Sequence, residues 1–191
     1  MKCLMPATLG TAVLSLALTL NARSETLPPG QVDFGSFSPS STGGEFVEVN
    51  VTSSLISLAA RFIEKDEPEV ARLLKGLQLV HVNVIGINEE NRSDLENKAQ
   101  KIRKTLDKNG WERIVVAQQQ DQNVGVYLKT ENKDTVQGLV VTVMEGNKQA
   151  VFINVVGDIK PEQLSLLGER LHIEPLKHIG VPSEKAEKSE K

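Results

Sequence analysis

Five side chains with polar or stacking ends, His81, Asn83, Tyr127, Thr142 and Asn154, sit at alternate positions in runs that otherwise read as β-strands. An imidazole, two amides, a hydroxyl and a phenol form a recognition set, with no nucleophile and base paired at short spacing. Tyr127 offers a large contact area with a polar tip, and His81 can make binding depend on pH. Successive strand residues point to opposite faces. In "LQLVHVNVIGI", Val80, Val82 and Val84 therefore oppose Leu79, His81, Asn83 and Ile85. Val124, Val126 and Leu128 likewise oppose Gly125, Tyr127 and Lys129, and Leu139, Val141 and Val143 oppose Val140 and Thr142. Val151, Ile153 and Val155 oppose Phe152 and Asn154. The aliphatic set suits a core beneath helices. The mixed set suits an open sheet face, since an antiparallel sheet can leave one side to water. The five residues are expected to bind a ligand there.

Other chemistry finds little support. The three histidines, His81, His172 and His178, do not form a metal-ligand pattern, and there is no H-E-x-x-H or EF-hand motif. "FGSFSPSSTGG" is rich in serine but lacks the G-x-S-x-G elbow, and neither G-x-G-x-x-G nor a phosphate-binding Walker loop occurs. No cofactor or metal is expected, and the reading leans away from catalysis. "KAQKIRKTLDK" places Lys98, Lys101, Arg103, Lys104 and Lys108 against Asp107 alone. That is either an anion-binding strip or, as we favour, the solvated back of an amphipathic helix.

Residues 1–24 read as a secretory leader: Lys2, the apolar run Leu9 to Leu20, then Ala22 and Ser24 before a cleavage point at Glu25. The apolar run is shorter than the roughly 20 residues a spanning helix needs. The sole cysteine, Cys3, lies inside this leader, so the remaining chain has neither disulfide nor thiol chemistry. Losing Lys2 and Arg23 takes the formal charge from −3 to −5, which argues against nucleic acid as a partner. No later segment is apolar for long enough to cross a bilayer. The expected location is periplasmic or extracellular.

The elements that must hold the five residues follow from periodicity. Residues 25–44, rich in Pro, Gly and Ser, read as a flexible lead-in, and 180–191 as a disordered charged tail. Between them, 45–179 reads as one domain. "EFVEVNV" alternates as a strand, and Leu55, Leu58, Ala59 and Phe62 recur at 3–4 spacing and mark a helix. Asp66 and Glu69 suggest a capping box for a short second helix ended by Gly76. After the strand carrying His81, Ser93 and Glu96 open a longer helix with the stripe Leu95, Ala99, Ile102 and Leu106. Strands at 113–117, 124–129, 136–144 and 150–156 follow, joined by short polar connectors that suit hairpins. A terminal helix carries Leu164, Leu167 and Leu171 on one face. The order β-α-α-β-α-β-β-β-β-α is that of an α+β fold: one mainly antiparallel sheet, with helices packed on one face and a C-terminal four-strand meander.

The strand pair around "GLVV" and "VFINVVGDI", followed by a helix starting at Pro161-Glu162-Gln163-Leu164, resembles the DUF4252 family of bacterial exported proteins. The resemblance covers roughly Glu45 to Leu171. It implies an envelope location and nothing catalytic. Within that signature, Gly157-Asp158 reads as a structural joint. Gly157 supplies a positive φ or a tight exit from the strand, Asp158 accepts bonds near the helix start, and Gln163 reaches back to the cap backbone.

The sequence thus points to an exported, non-enzymatic binding module working through an open sheet face. Its partner would be an envelope protein or a cell-wall or lipid ligand. The alternatives are a hydrolase-like enzyme with an unrecognised site, or an accessory of envelope-stress signalling.

Overall fold

A computed structural model describes residues 27–39, 44–119, 121–132 and 135–170. The proposed leader, its cleavage point, Leu171, His172, His178 and the charged tail lie outside the described residues. The elements are β1 (Phe46–Thr52), α1 (Ser53–Ile63), α2 (Pro68–Gly76), β2 (Leu77–Gly86), α3 (Arg92–Lys108), β3 (Glu112–Gln119), β4 (Gln122–Asn132), β5 (Thr135–Glu145), β6 (Gln149–Ile159) and α4 (Leu164–Arg170), with a 3-10 turn at Pro161–Gln163 before α4. The fold is α+β, in the expected element order. Its six strands form one open antiparallel sheet in the order β1-β2-β6-β5-β4-β3, and β3 to β6 form the meander.

This topology forces one helix to cross the sheet. The chain leaves β2 next to one edge and must re-enter at β3, the opposite edge. Four strand spacings of roughly 4.8 Å separate them, and a 17-residue helix at about 1.5 Å per residue spans that distance. Helices α1, α2 and α4 occupy the aliphatic face, burying Ile56, Leu73, Leu164 and Leu167 against Leu139, Val141 and Val155. Helix α3 crosses on the other face, its Leu95, Ile102 and Leu106 packed with Tyr127, Val140 and Phe152. The helices therefore take both faces, where the sequence suggests one. The mixed face holds enough large apolar side chains, including Ile85 and Phe152, to seat a helix of its own.

The joint after β6 is also built differently. The strand continues through Gly157 and Asp158 to Ile159, and Gly157 does not have a positive φ. Glycine is needed there because the end of α2 passes against the strand: a Cβ on Gly157 would lie 2.4 Å from the Gly76 carbonyl oxygen, and one on Gly76 would lie 2.5 Å from that of Asp158. Asp158 is exposed. Gln163 does reach back, its Oε1 accepting the Lys160 N–H at 3.0 Å.

Candidate functional site

The five polar residues all lie on the face opposite the valines, in two neighbouring rows. One row runs His81, Asn154, Val140, Tyr127 across β2, β6, β5 and β4, and the other runs Asn83, Phe152, Thr142, Gly125. Alternation therefore brings them together as expected, but the face is not open. Asn83, Tyr127, Thr142 and Asn154 are buried, and only His81 keeps partial exposure. Two elements cover them: α3 and residues 27–39, which the sequence presents as a loose lead-in.

Residues 27–39 form a strap held by named contacts. Asn154 accepts the Val32 N–H through Oδ1 at 2.9 Å, and its Nδ2 donates to the Gly30 carbonyl at 2.9 Å and the Leu139 carbonyl at 3.2 Å. Phe34 and Phe37 lie 5.9 and 5.0 Å from the Phe152 ring, between centroids, and Phe34 also lies 6.0 Å from His81. Lys98 donates to the Ser36 carbonyl at 2.6 Å while its ammonium stands 3.7 Å over the Phe37 ring. Burial lowers the pKa of Lys98, and Asp33 pulls the other way. Glycine permits the close approach at the start of the strap: Gly30 has φ +85°, and a Cβ on Gly138 would lie 2.5 Å from Gly30 Cα and 2.7 Å from the Trp111 ring. The chain thus fills with its own N-terminal segment the place a ligand would take.

Among the described residues, Asn83 Oδ1 and the Tyr127 hydroxyl find no hydrogen-bond partner on this face. Asn83 Nδ2 stands 3.1 Å from His81 Nε2. The Tyr127 ring and hydroxyl crowd over Gly125, where a Cβ would meet them at 3.0 and 3.2 Å. A cleft of about 330 Å³ opens between α3 and the sheet, lined by Arg92, Glu96, Arg103, Asn123 and Thr142 among others. Thr142 is the one predicted residue that reaches it. Arg92 is already engaged with the Gly146 carbonyl at 3.1 Å and Glu96 at 3.7 Å. Among the described residues, no group of three His, Cys, Asp or Glu side chains could hold a metal ion.

A family model described as a domain of unknown function, DUF4252, matches residues 42–167, well over half of the chain. The chain belongs to the DUF4252 family. Comparison with curated proteins and with solved structures returns no match. The matched span of the DUF4252 domain begins after the strap, so the segment that closes the mixed face lies outside it.

On this DUF4252 domain the largest exposed apolar side chains lie elsewhere. Leu55, Leu58 and Phe62 on α1 are 56%, 50% and 78% exposed, and Val47 and Val49 on β1 are each 39% exposed. The 3–4 spacing that marks α1 runs through Leu55, Leu58, Ala59 and Phe62, but the side turned to the sheet is the neighbouring one: Ile56 and Ala60 are buried, and Leu55, Leu58 and Phe62 form an outward stripe. The helix carries two apolar arcs side by side, 55/58/62 and 56/60/63, and either could have faced the sheet. Their combined width, more than one packing surface requires, is the signal in the sequence. No helix among the described residues is long and apolar enough to cross a membrane.

Proposed function

We propose that this protein is an exported, non-enzymatic interaction module whose contact surface is the outward stripe of α1. The observation that carries the reading is the exposure of Leu55, Leu58 and Phe62 on a helix whose other side is already buried. Their i, i+3, i+7 spacing is that of an amphipathic helix laid into an apolar groove. Arg61 precedes Phe62 and Glu64, Lys65 and Asp66 follow it, so the groove that fits best has a rim of mixed charge on a partner protein. Export is supported by the order of basic, apolar and small residues in positions 1–24.

The test is capture of partners from the native envelope by the exported form, whose first residue is expected to be Glu25. Phe62→Ser and Leu58→Ser should abolish capture while leaving the melting temperature nearly unchanged. Val116→Ser, at an exposed residue on the opposite edge, should leave capture intact. Undiminished capture by the α1 variants would overturn the reading. So would loss of binding to protein-free anionic vesicles in the same variants, because the stripe would then be a membrane contact.

A further inference from the structure

We propose that the free edge of β1 recognises a second copy of this chain, the two β1 strands pairing antiparallel about Val49 so that the sheet continues across a two-fold axis. The sheet has two edges, and they differ. On β3 the register with β4 breaks between Arg113 and Val115, and the strand begins with the charged pair Glu112 and Arg113. Bulges and edge charges are devices that discourage strand addition. β1 pairs with β2 in unbroken register from Phe46 to Thr52 and contains neither proline nor lysine; its one charged residue, Glu48, lies 3.5 Å from His81 of the neighbouring strand.

The hydrogen-bond phase of β1 fixes which residues a new strand would meet. Gly86 N–H donates to the Glu45 carbonyl at 2.7 Å. In an antiparallel ladder the residues that exchange bonds alternate with those that do not. Val47, Val49 and Val51 therefore direct their backbone groups to β2, whereas Phe46, Glu48, Asn50 and Thr52 direct theirs outward. A second β1 must match even-numbered residues with even-numbered ones. Placing Glu48 opposite the partner's Glu48 sets like charges face to face, which is unfavourable. Centring on Asn50 leaves Phe46 beyond the end of the pairing.

The register centred on Val49 uses all seven residues. It sets Glu48 opposite the partner's Asn50, an acceptor against an amide. It also sets Val49 opposite the partner's Val49 and Val47 opposite the partner's Val51. These are non-hydrogen-bonded pairs, in which side chains approach most closely. The apolar area covered is that of Val47 and Val49, which are otherwise partly bare on the aliphatic face. The surface is thus self-complementary, as a two-fold interface requires.

Cysteine pairing tests the register directly. In a Cys3→Ser background the full chain contains no cysteine. Under mild oxidation Val49→Cys should form a covalent dimer readily, since opposed non-hydrogen-bonded positions suit a disulfide. Val47→Cys alone should remain uncrosslinked, its counterpart lying about 13 Å away along the strand. Mixing Val47→Cys with Val51→Cys should restore crosslinking. Sedimentation of the unmodified chain should show a concentration-dependent dimer that Val49→Lys converts to a folded monomer and Phe62→Ser leaves intact. A monomer at every concentration, or equal crosslinking at positions 47 and 49, would overturn the proposal. Dissociation by Phe62→Ser would also overturn it, by moving the interface to α1.

Discussion

The two faces of the sheet are closed by different means. Beneath α1, α2 and α4, Leu139, Val141, Val155 and Ile159 meet other aliphatic side chains, and burial of apolar area does the work. Beneath α3 and the strap, Phe152 and Val140 contribute area too, but Asn154 adds directional bonds to the backbone of residues 30 and 32. An apolar contact tolerates small shifts, whereas an amide bonded to both a donor and an acceptor accepts one placement. The aliphatic face is therefore a general-purpose core. The mixed face is a fitted seat for one particular segment, and its polarity is structural rather than solvent-facing.

Paired truncations give the largest test of this contrast. Phe152→Ala and Leu139→Ala, both at fully buried sites, should each cost about 3–5 kcal/mol in denaturant unfolding. Only Phe152→Ala should also free the strap, seen as rapid hydrogen exchange at the Val32 amide. Equal exchange in the two variants would erase the distinction between the faces. Next in size, Asn154→Ala should cost about 1–3 kcal/mol, because it strands the Val32 N–H and the Gly30 carbonyl. Protease nicking within residues 27–39 should rise in step, and an unchanged digestion pattern would show that the aromatic contacts suffice.

Lys98→Met removes the cation over Phe37 but also the burial of a charge that lowers the Lys98 pKa, so the two effects oppose and stability near neutral pH should change by less than about 1 kcal/mol. It carries a pH signature. The folded state lowers the pKa of Lys98, so the unfolded chain binds more protons between that lowered value and the ordinary lysine value. Wild-type stability should therefore rise relative to Lys98→Met as pH climbs through that alkaline window; a fall would mean that the ammonium is favoured by its site. The smallest effect belongs to Tyr127→Phe. With no partner for the hydroxyl, stability should not fall and should rise slightly, because the variant removes a buried group that makes no hydrogen bond. A substantial loss in calorimetry would show that the hydroxyl is bonded to water.

Much of this arrangement was legible in the sequence. Alternation places His81, Asn83, Tyr127, Thr142 and Asn154 on a common face, and the short polar connectors mark the hairpins of the meander. What covers that face was not legible, because "GQVDFGSF" has neither helical nor strand period. Its anchors include the Gly30 carbonyl and the Val32 N–H, backbone groups that leave no mark in residue type. Composition rich in Pro, Gly and Ser then reads as looseness, although Gly30 is there to allow a close pass over Gly138. The side of α1 that faces the sheet is not legible for a different reason. Two adjoining apolar arcs satisfy the same 3–4 spacing, and only the packing of Ile56 and Ala60 decides between them.

The pairing of β2 with β6 has a consequence for the order of events in folding. Strands β3 to β6 are successive hairpins, so their contacts close short loops and can form early. β2 has β1 on one side, but its inner neighbour starts at Gln149, some 63 residues beyond Gly86. During synthesis β2 emerges well before β6 and holds its valines without its inner neighbour until nearly the whole domain has been made. That interval, set by a loop-closure entropy local strands escape, is when the valine-rich strand is most open to pairing with another chain.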